Sequence, residues 1–207
     1  MLKDKGPVKH LNRNRKALMI EAILEDHLDT EIINFKILDV GTGNAQIIKH
    51  FSNNNECFAV DTQQPTSLCD KVNFSLVTSE KLPFNDQEFD IVISHHVIEH
   101  VENQGVHLSE ISRVMREDSI TYIACPNKGS PLMKGHIGND LVPTAKTLRE
   151  MLVASGFNLT EYYTAFLSNP SKFYCDISLG RYFPSWFIRL FMRWYPSQCY
   201  LLRKNGD

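Results

Sequence analysis

The chain has 207 residues, 43% of them hydrophobic, and a formal net charge of −2 at neutral pH. That length buries one sizeable core, so a single domain is expected over 1–207, and the near balance of charge excludes the broadly basic surface of a general nucleic-acid binder. The five cysteines show no C-x-x-C spacing, and the basic N-terminus lacks the apolar run of a signal peptide, so reduced thiols and a cytoplasmic location are expected.

Residues 1–34 read as a helical extension. Lys3, Lys5, Lys9, Arg13, Arg15 and Lys16 form its solvated basic part, and Ala17, Ile20, Ile23, Leu24 and Leu28 form an apolar stripe at helical spacing. Apolar runs then predict strands at Lys36–Val40, Cys57–Val60, Val72–Val77, Phe89–Ser94 and Ile120–Ala124. Helical spacing fits Asn44–Phe51, and Leu108, Ile111, Val114 and Met115 mark a second helix over about 104–116. Thr144 is placed to cap a further helix that Gly156 stops. Strands near Thr160–Leu167 and Gln198–Arg203 bring the number to seven. Alternating strands and helices predict an α/β fold, a doubly wound and mostly parallel seven-stranded sheet with helices on both faces. An aromatic-rich insertion occupies 169–197; its densest part, Tyr182 to Tyr195, carries Arg189 and Arg193 among bulky apolar groups. A lid over an apolar acceptor, a peripheral membrane contact and an ordinary core or dimer-contact helix all use such residues.

In an open α/β sheet ligands bind beyond the carboxyl ends of the strands. Those ends carry Asp39-Val40-Gly41-Thr42-Gly43, Asp61-Thr62, Thr78-Ser79-Glu80, Ser94-His95-His96 and Cys125-Pro126-Asn127. Gly41 and Gly43 are expected to keep side chains away from a ligand that approaches the backbone. Asp61 lies one residue past a buried strand, where a carboxylate accepts both hydroxyls of a ribose. A nicotinamide-binding oxidoreductase is one alternative, but Gln46 stands where G-x-G-x-x-G requires its third glycine. His96-Val97-Ile98-Glu99-His100 has the H-x-x-E-H spacing of a zinc site. Its place directly after a buried strand, with no third ligand in view, favours a short helix start and no metal.

The series ILDVGTGN, FAVDT, SEKLPFNDQEFDIVISHHVIEHV, LSEISRVMRED and LREMLVASGF resembles class I S-adenosylmethionine-dependent methyltransferases, over about residues 35–160. The resemblance is to the branch acting on small molecules, lipids and sugar-linked substrates, and it implies a Rossmann-like fold and S-adenosylmethionine as cofactor. It places Asp39, Gly41, Thr42 and Gly43 around the methionine part. Asp61, with Thr62 beside it, takes the ribose hydroxyls. Ser79 and Glu80 lie along the adenine edge, and Ser94 and His95 close over the cofactor. Thr78 departs from the pattern, since an aspartate often bonds the adenine amino group there.

The implied reaction is methyl transfer to a small-molecule, lipid-linked or glycan-linked acceptor. His95 and His136 are the substrate-site candidates, because a hydroxyl acceptor must lose a proton. Nucleic acid is disfavoured, as the strand-four end lacks the Asn/Asp-Pro-Pro-aromatic run of base-amino methylation. A non-catalytic methyltransferase-like binding subunit is the other class of reading, and Thr78 is the feature that leans toward it.

Overall fold

The structure is a computed structural model that describes residues 8–79, 81–130, 141–158, 162–163 and 197–204, with backbone alone at 8–15 and 162–163. Glu80, His136 and all of the 169–197 insertion but its last residue lie outside these residues.

Helix α1 (Val8–Leu28) leads into strand β1 (Lys36–Val40), helix α2 (Gln46–Phe51), strand β2 (Glu56–Asp61) and strand β3 (Val72–Leu76). Strand β4 (Phe89–His95) ends in a single 3-10 turn at Ile98–His100. Helix α3 (Gln104–Val114), strand β5 (Met115–Pro126) and helix α4 (Ala145–Ala154) follow. The short strands β6 (Phe157–Asn158) and β7 (Tyr162–Tyr163) precede the long β8 (Ser197–Lys204).

The sheet runs β3-β2-β1-β4-β5-β8, and β6 and β7 both pair with the free edge of β8. Phe157 faces Lys204 and Tyr162 faces Tyr200, so the two short pieces follow one line whose register slips by a single residue. The sheet therefore has seven positions, of which β1 to β5 are parallel and the last two antiparallel.

Alternation of side chains along each strand splits the core into two layers. On one face Ile37, Ile91, Ile93 and Tyr122 meet Ile20, Ile23 and Leu24 of α1 and Ile48 and Phe51 of α2. On the other, Leu38, Val92 and Ile123 meet Leu108 and Ile111 of α3 and Leu148 and Leu152 of α4. Helices thus cover both faces, as near-continuous apolar strands require. His50 Nε2 and Glu21 Oε2, 2.7 Å apart, tie α2 to α1, so the N-terminal helix belongs to the fold.

Capping follows the sequence closely at α4. Thr144 Oγ1 accepts from Thr147 N at 3.1 Å, and Gly156 adopts φ +84° just past the last turn. In β5 Phe89 pairs with Met115 but Ile91 with Ile120, so 116–119 form an irregularity within the strand. No helix among the described residues is long and apolar enough to cross a membrane.

Candidate active site

The order of strands reverses between β1 and β4, and in open α/β sheets ligands bind in the crevice at the carboxyl ends of such a switch point. The loop after β1 forms one wall. Gly41 N and Thr42 N both donate to Val60 O, at 2.9 and 3.1 Å, which anchors the loop to β2. Gly41, Gly43 and Ala45 all take positive φ, at +72°, +59° and +55°, so the backbone coils tightly before α2 begins.

The two glycines do different work. A Cβ on Gly43 would meet nothing within 4 Å, leaving open space in front of its backbone. A Cβ on Gly41 would stand 2.4 Å from Cγ2 of Val97. Gly41 thus makes room for Val97, the side chain that follows β4. The free space lies higher, beside Gly43.

Two aspartates hold the loop from below and from the side. Asp39, only 2% exposed, accepts from Thr42 Oγ1 at 2.6 Å. Burial pushes its pKa up to about 7, the Thr42 bond offsets part of that, and the nearby Asp61 charge adds to it. Asp61, at the tip of β2, accepts from Gly43 N at 2.7 Å through Oδ2 and from Gln63 N at 3.1 Å through Oδ1. With Thr62 these make three donors on a carboxylate that has roughly four lone-pair positions. Thr62 Oγ1 reaches the same carboxylate at 3.5 Å.

The opposite wall is the end of β4. Ser94 is buried, and alternation places it on the α3–α4 face, whereas His95 lies on the α1–α2 face with Asp39. The His95 ring stacks on Tyr122, with centroids 6.1 Å apart and planes at 18°, and meets the His96 edge at 4.6 Å. Both His95 ring nitrogens are shielded from solvent and have no hydrogen-bond partner in the protein. Burial, then the neighbouring His96 and the Lys16 charge on α1, hold its pKa well below the ordinary histidine range, so the ring is neutral.

His96 adopts φ +60° and turns away, with Nδ1 2.9 Å from Glu99 Oε1. His100 is exposed. The zinc-like spacing thus resolves into one His–Glu pair and a surface residue. Among the described residues no group of three or more His, Cys, Asp or Glu side chains is arranged to hold a metal ion.

Thr78 and Ser79 are exposed at the end of β3, while Glu80 and His136 fall outside the described residues. A clamp that sequence reading missed holds the segment just beyond. Arg113 donates to Leu82 O at 3.1 Å, Phe84 O at 2.9 Å and Asp86 Oδ1 at 2.7 Å, and Glu110 Oε2 accepts from Leu82 N at 2.9 Å. The signal lay in the Glu110–Arg113 spacing of i, i+3, which puts both charges on one side of α3. A separate depression of about 540 Å3, lined by Leu28, Phe35, Asp90 and Arg116 among others, lies at the amino ends of the strands, away from this crevice.

Comparison with known proteins agrees with this geometry. Residues 38–123 match the family described as a methyltransferase domain. The chain is 30% identical over 133 residues to the ubiquinone biosynthesis O-methyltransferase of Rickettsia bellii, covering 59% of this chain and 54% of that protein. It therefore spans about half the length of the curated relatives it matches. Among solved structures, the Burkholderia thailandensis 1,6-didemethyltoxoflavin-N1-methyltransferase superposes with a TM-score of 0.62 at 18% identity, over 94% of this chain and 79% of that one. That structure carries S-adenosylhomocysteine and its substrate. The PH0226 protein of Pyrococcus horikoshii gives 0.64 at 13% identity, over 92% and 90%. The [4+2]-cyclase SpnF gives 0.64 at 18%, over 95% and 81%. At such identities these likenesses establish the fold alone. The sequence match through the glycine loop and β4 makes residues 38–123 similar to a methyltransferase domain, on a fold of the class I S-adenosylmethionine-dependent methyltransferase type.

Proposed function

We propose that this chain binds S-adenosylmethionine at the crevice between β1 and β4 and transfers its methyl group to a small-molecule, lipid-linked or glycan-linked acceptor in the cytoplasm. The observation that carries the reading is the open space at Gly43 beside a partly exposed Asp61 carboxylate, whose weakest donor, Thr62 Oγ1 at 3.5 Å, is free to turn aside. These residues fit an adenosine-bearing ligand: the backbone admits close approach, and Asp61 receives two ribose hydroxyls as an acceptor pair.

When bound, the cofactor supplies an electrophilic methyl group on a sulfonium. Asp39, buried beneath the loop, sets the charge under its methionine end. The Glu110–Arg113 clamp fixes Leu82 to Asp86 behind the adenine side. Rigid placement of this kind supplies roughly 7–11 kcal/mol toward an oriented displacement in favourable cases.

Calorimetric titration with S-adenosylmethionine and S-adenosylhomocysteine tests the reading. Both are expected to bind the wild-type protein. Asp61→Ala is expected to weaken both at least tenfold with little change in melting temperature, because its carboxylate is partly exposed and bonds only the loop. Absence of binding to either compound in the wild type overturns the proposal.

A further inference from the structure

We propose that His95 receives the proton of a phenol- or enol-type hydroxyl acceptor held on the α1 side of the crevice, so that methylation occurs on oxygen. This deepens the methyl-transfer reading and rests on it.

The placement comes from the sheet. Val40 pairs with Ser94, so the next step sets His95 across from Gly41, on the wall facing the glycine loop. Buried polar atoms in folded proteins nearly always have a partner. Here two nitrogens of one ring are shielded and have none, while the ring is fixed by the Tyr122 stack and the His96 edge. Tyr122 is itself fully buried and donates to Cys199 Sγ at 3.4 Å, so the platform under the imidazole does not shift. A rigid side chain with an unused donor and an unused acceptor is built to meet a ligand with a hydroxyl group.

The electrostatics narrow the class. The ring is neutral, so it takes a proton rather than gives one, and the burial that keeps it neutral also makes it a weak base. A weak base suits a hydroxyl that is already acidic, with a pKa of about 10 like the tyrosine phenol, better than an alkyl alcohol. An ammonium-bearing acceptor would meet the Lys16 charge that already acts on His95. In the step itself the acceptor oxygen forms a bond to the methyl carbon as the methyl–sulfur bond breaks and its electron pair returns to sulfur, leaving a neutral thioether. The hydroxyl proton passes to the His95 nitrogen that carries no hydrogen.

The test uses full-length protein with isotope-labelled histidine, saturated with S-adenosylhomocysteine, and catechol as the hydroxyl probe. Catechol is expected to shift the His95 ring nitrogen resonances, and benzylamine to leave them in place. With S-adenosylmethionine, catechol is expected to give an O-methyl product. His95→Gln should slow it about 10²-fold or more at saturating S-adenosylmethionine and remove the fall in rate at low pH. An unmoved His95 resonance, or a His95→Gln rate within about threefold of wild type, overturns the proposal. Failure of S-adenosylhomocysteine to bind at all would instead overturn the methyl-transfer reading beneath it.

Discussion

Val97 stands where a side chain on Gly41 would have to go: an added Cβ would lie 2.4 Å from Cγ2 and 2.9 Å from Cγ1. The loops after β1 and β4 thus interlock across the switch point, and the glycine is needed for the protein's own packing. Gly41→Ala is expected to destabilise the fold by about 2–4 kcal/mol, the sum of left-handed backbone strain at φ +72° and overpacking. Adding Val97→Ala removes both obstructing methyls, so the double variant should recover the overpacking share and retain the strain. Urea denaturation of the three proteins measures this. Equal stability of the single and double variants would show that Val97 is not the obstacle.

The Arg113 clamp makes a different prediction, about mobility. Its guanidinium holds the carbonyls of Leu82 and Phe84 as well as Asp86, and the hydrogen bonds to Glu110 raise its already high pKa, so it stays charged. Arg113→Lys keeps the charge but loses the planar fork that reaches several acceptors together. Amide hydrogen exchange at 82–86 is expected to quicken while exchange in β1 and β4 stays as it was. S-adenosylmethionine affinity should fall several-fold. Unchanged exchange at 82–86 would mean the segment is held by the Phe58, Phe84 and Phe89 ring cluster alone.

The apolar runs and the glycine loop made the sheet and its switch point legible because burial on both faces forces that pattern. Thr144 and Gly156 announced the ends of α4 because cap chemistry is local. What stayed hidden depends on neighbours distant in sequence. Ala45 takes φ +55° at the start of α2, and His96 takes +60° after β4, although neither residue type signals a left-handed turn as glycine does. Tertiary packing imposes both. The side to which His95 and Ser94 point follows from alternation, since adjacent strand residues face opposite layers. Pairing of Met115 and Ile120 with β4 draws 116–119 into β5, an irregularity no local signal announces.

Asp39 should make stability depend on pH in the direction opposite to an ion-paired carboxylate. Its folded-state pKa of about 7 lies above the usual 3.8, chiefly because burial penalises the charge. Between those values the folded protein binds more protons than the unfolded chain, so stability is complete below pH 4 and declines as pH rises toward 7. The shift corresponds to a loss on the order of 4 kcal/mol. Asp39→Asn keeps the shape and removes the charge. Relative to wild type it should gain melting temperature at pH 8 and gain little at pH 4.5, where the wild-type side chain is protonated. The same charge should matter in reverse once a cation lies above it. A sulfonium cofactor favours the ionised carboxylate, so its affinity for the wild type is expected to rise as pH passes through 7, whereas the affinity of Asp39→Asn stays flat. S-adenosylhomocysteine carries one positive charge fewer and should show a smaller slope. Calorimetry in buffers of different ionisation enthalpy reads the released proton directly. Parallel melting curves for the two proteins at both pH values would show that the buried carboxylate is not the titrating group.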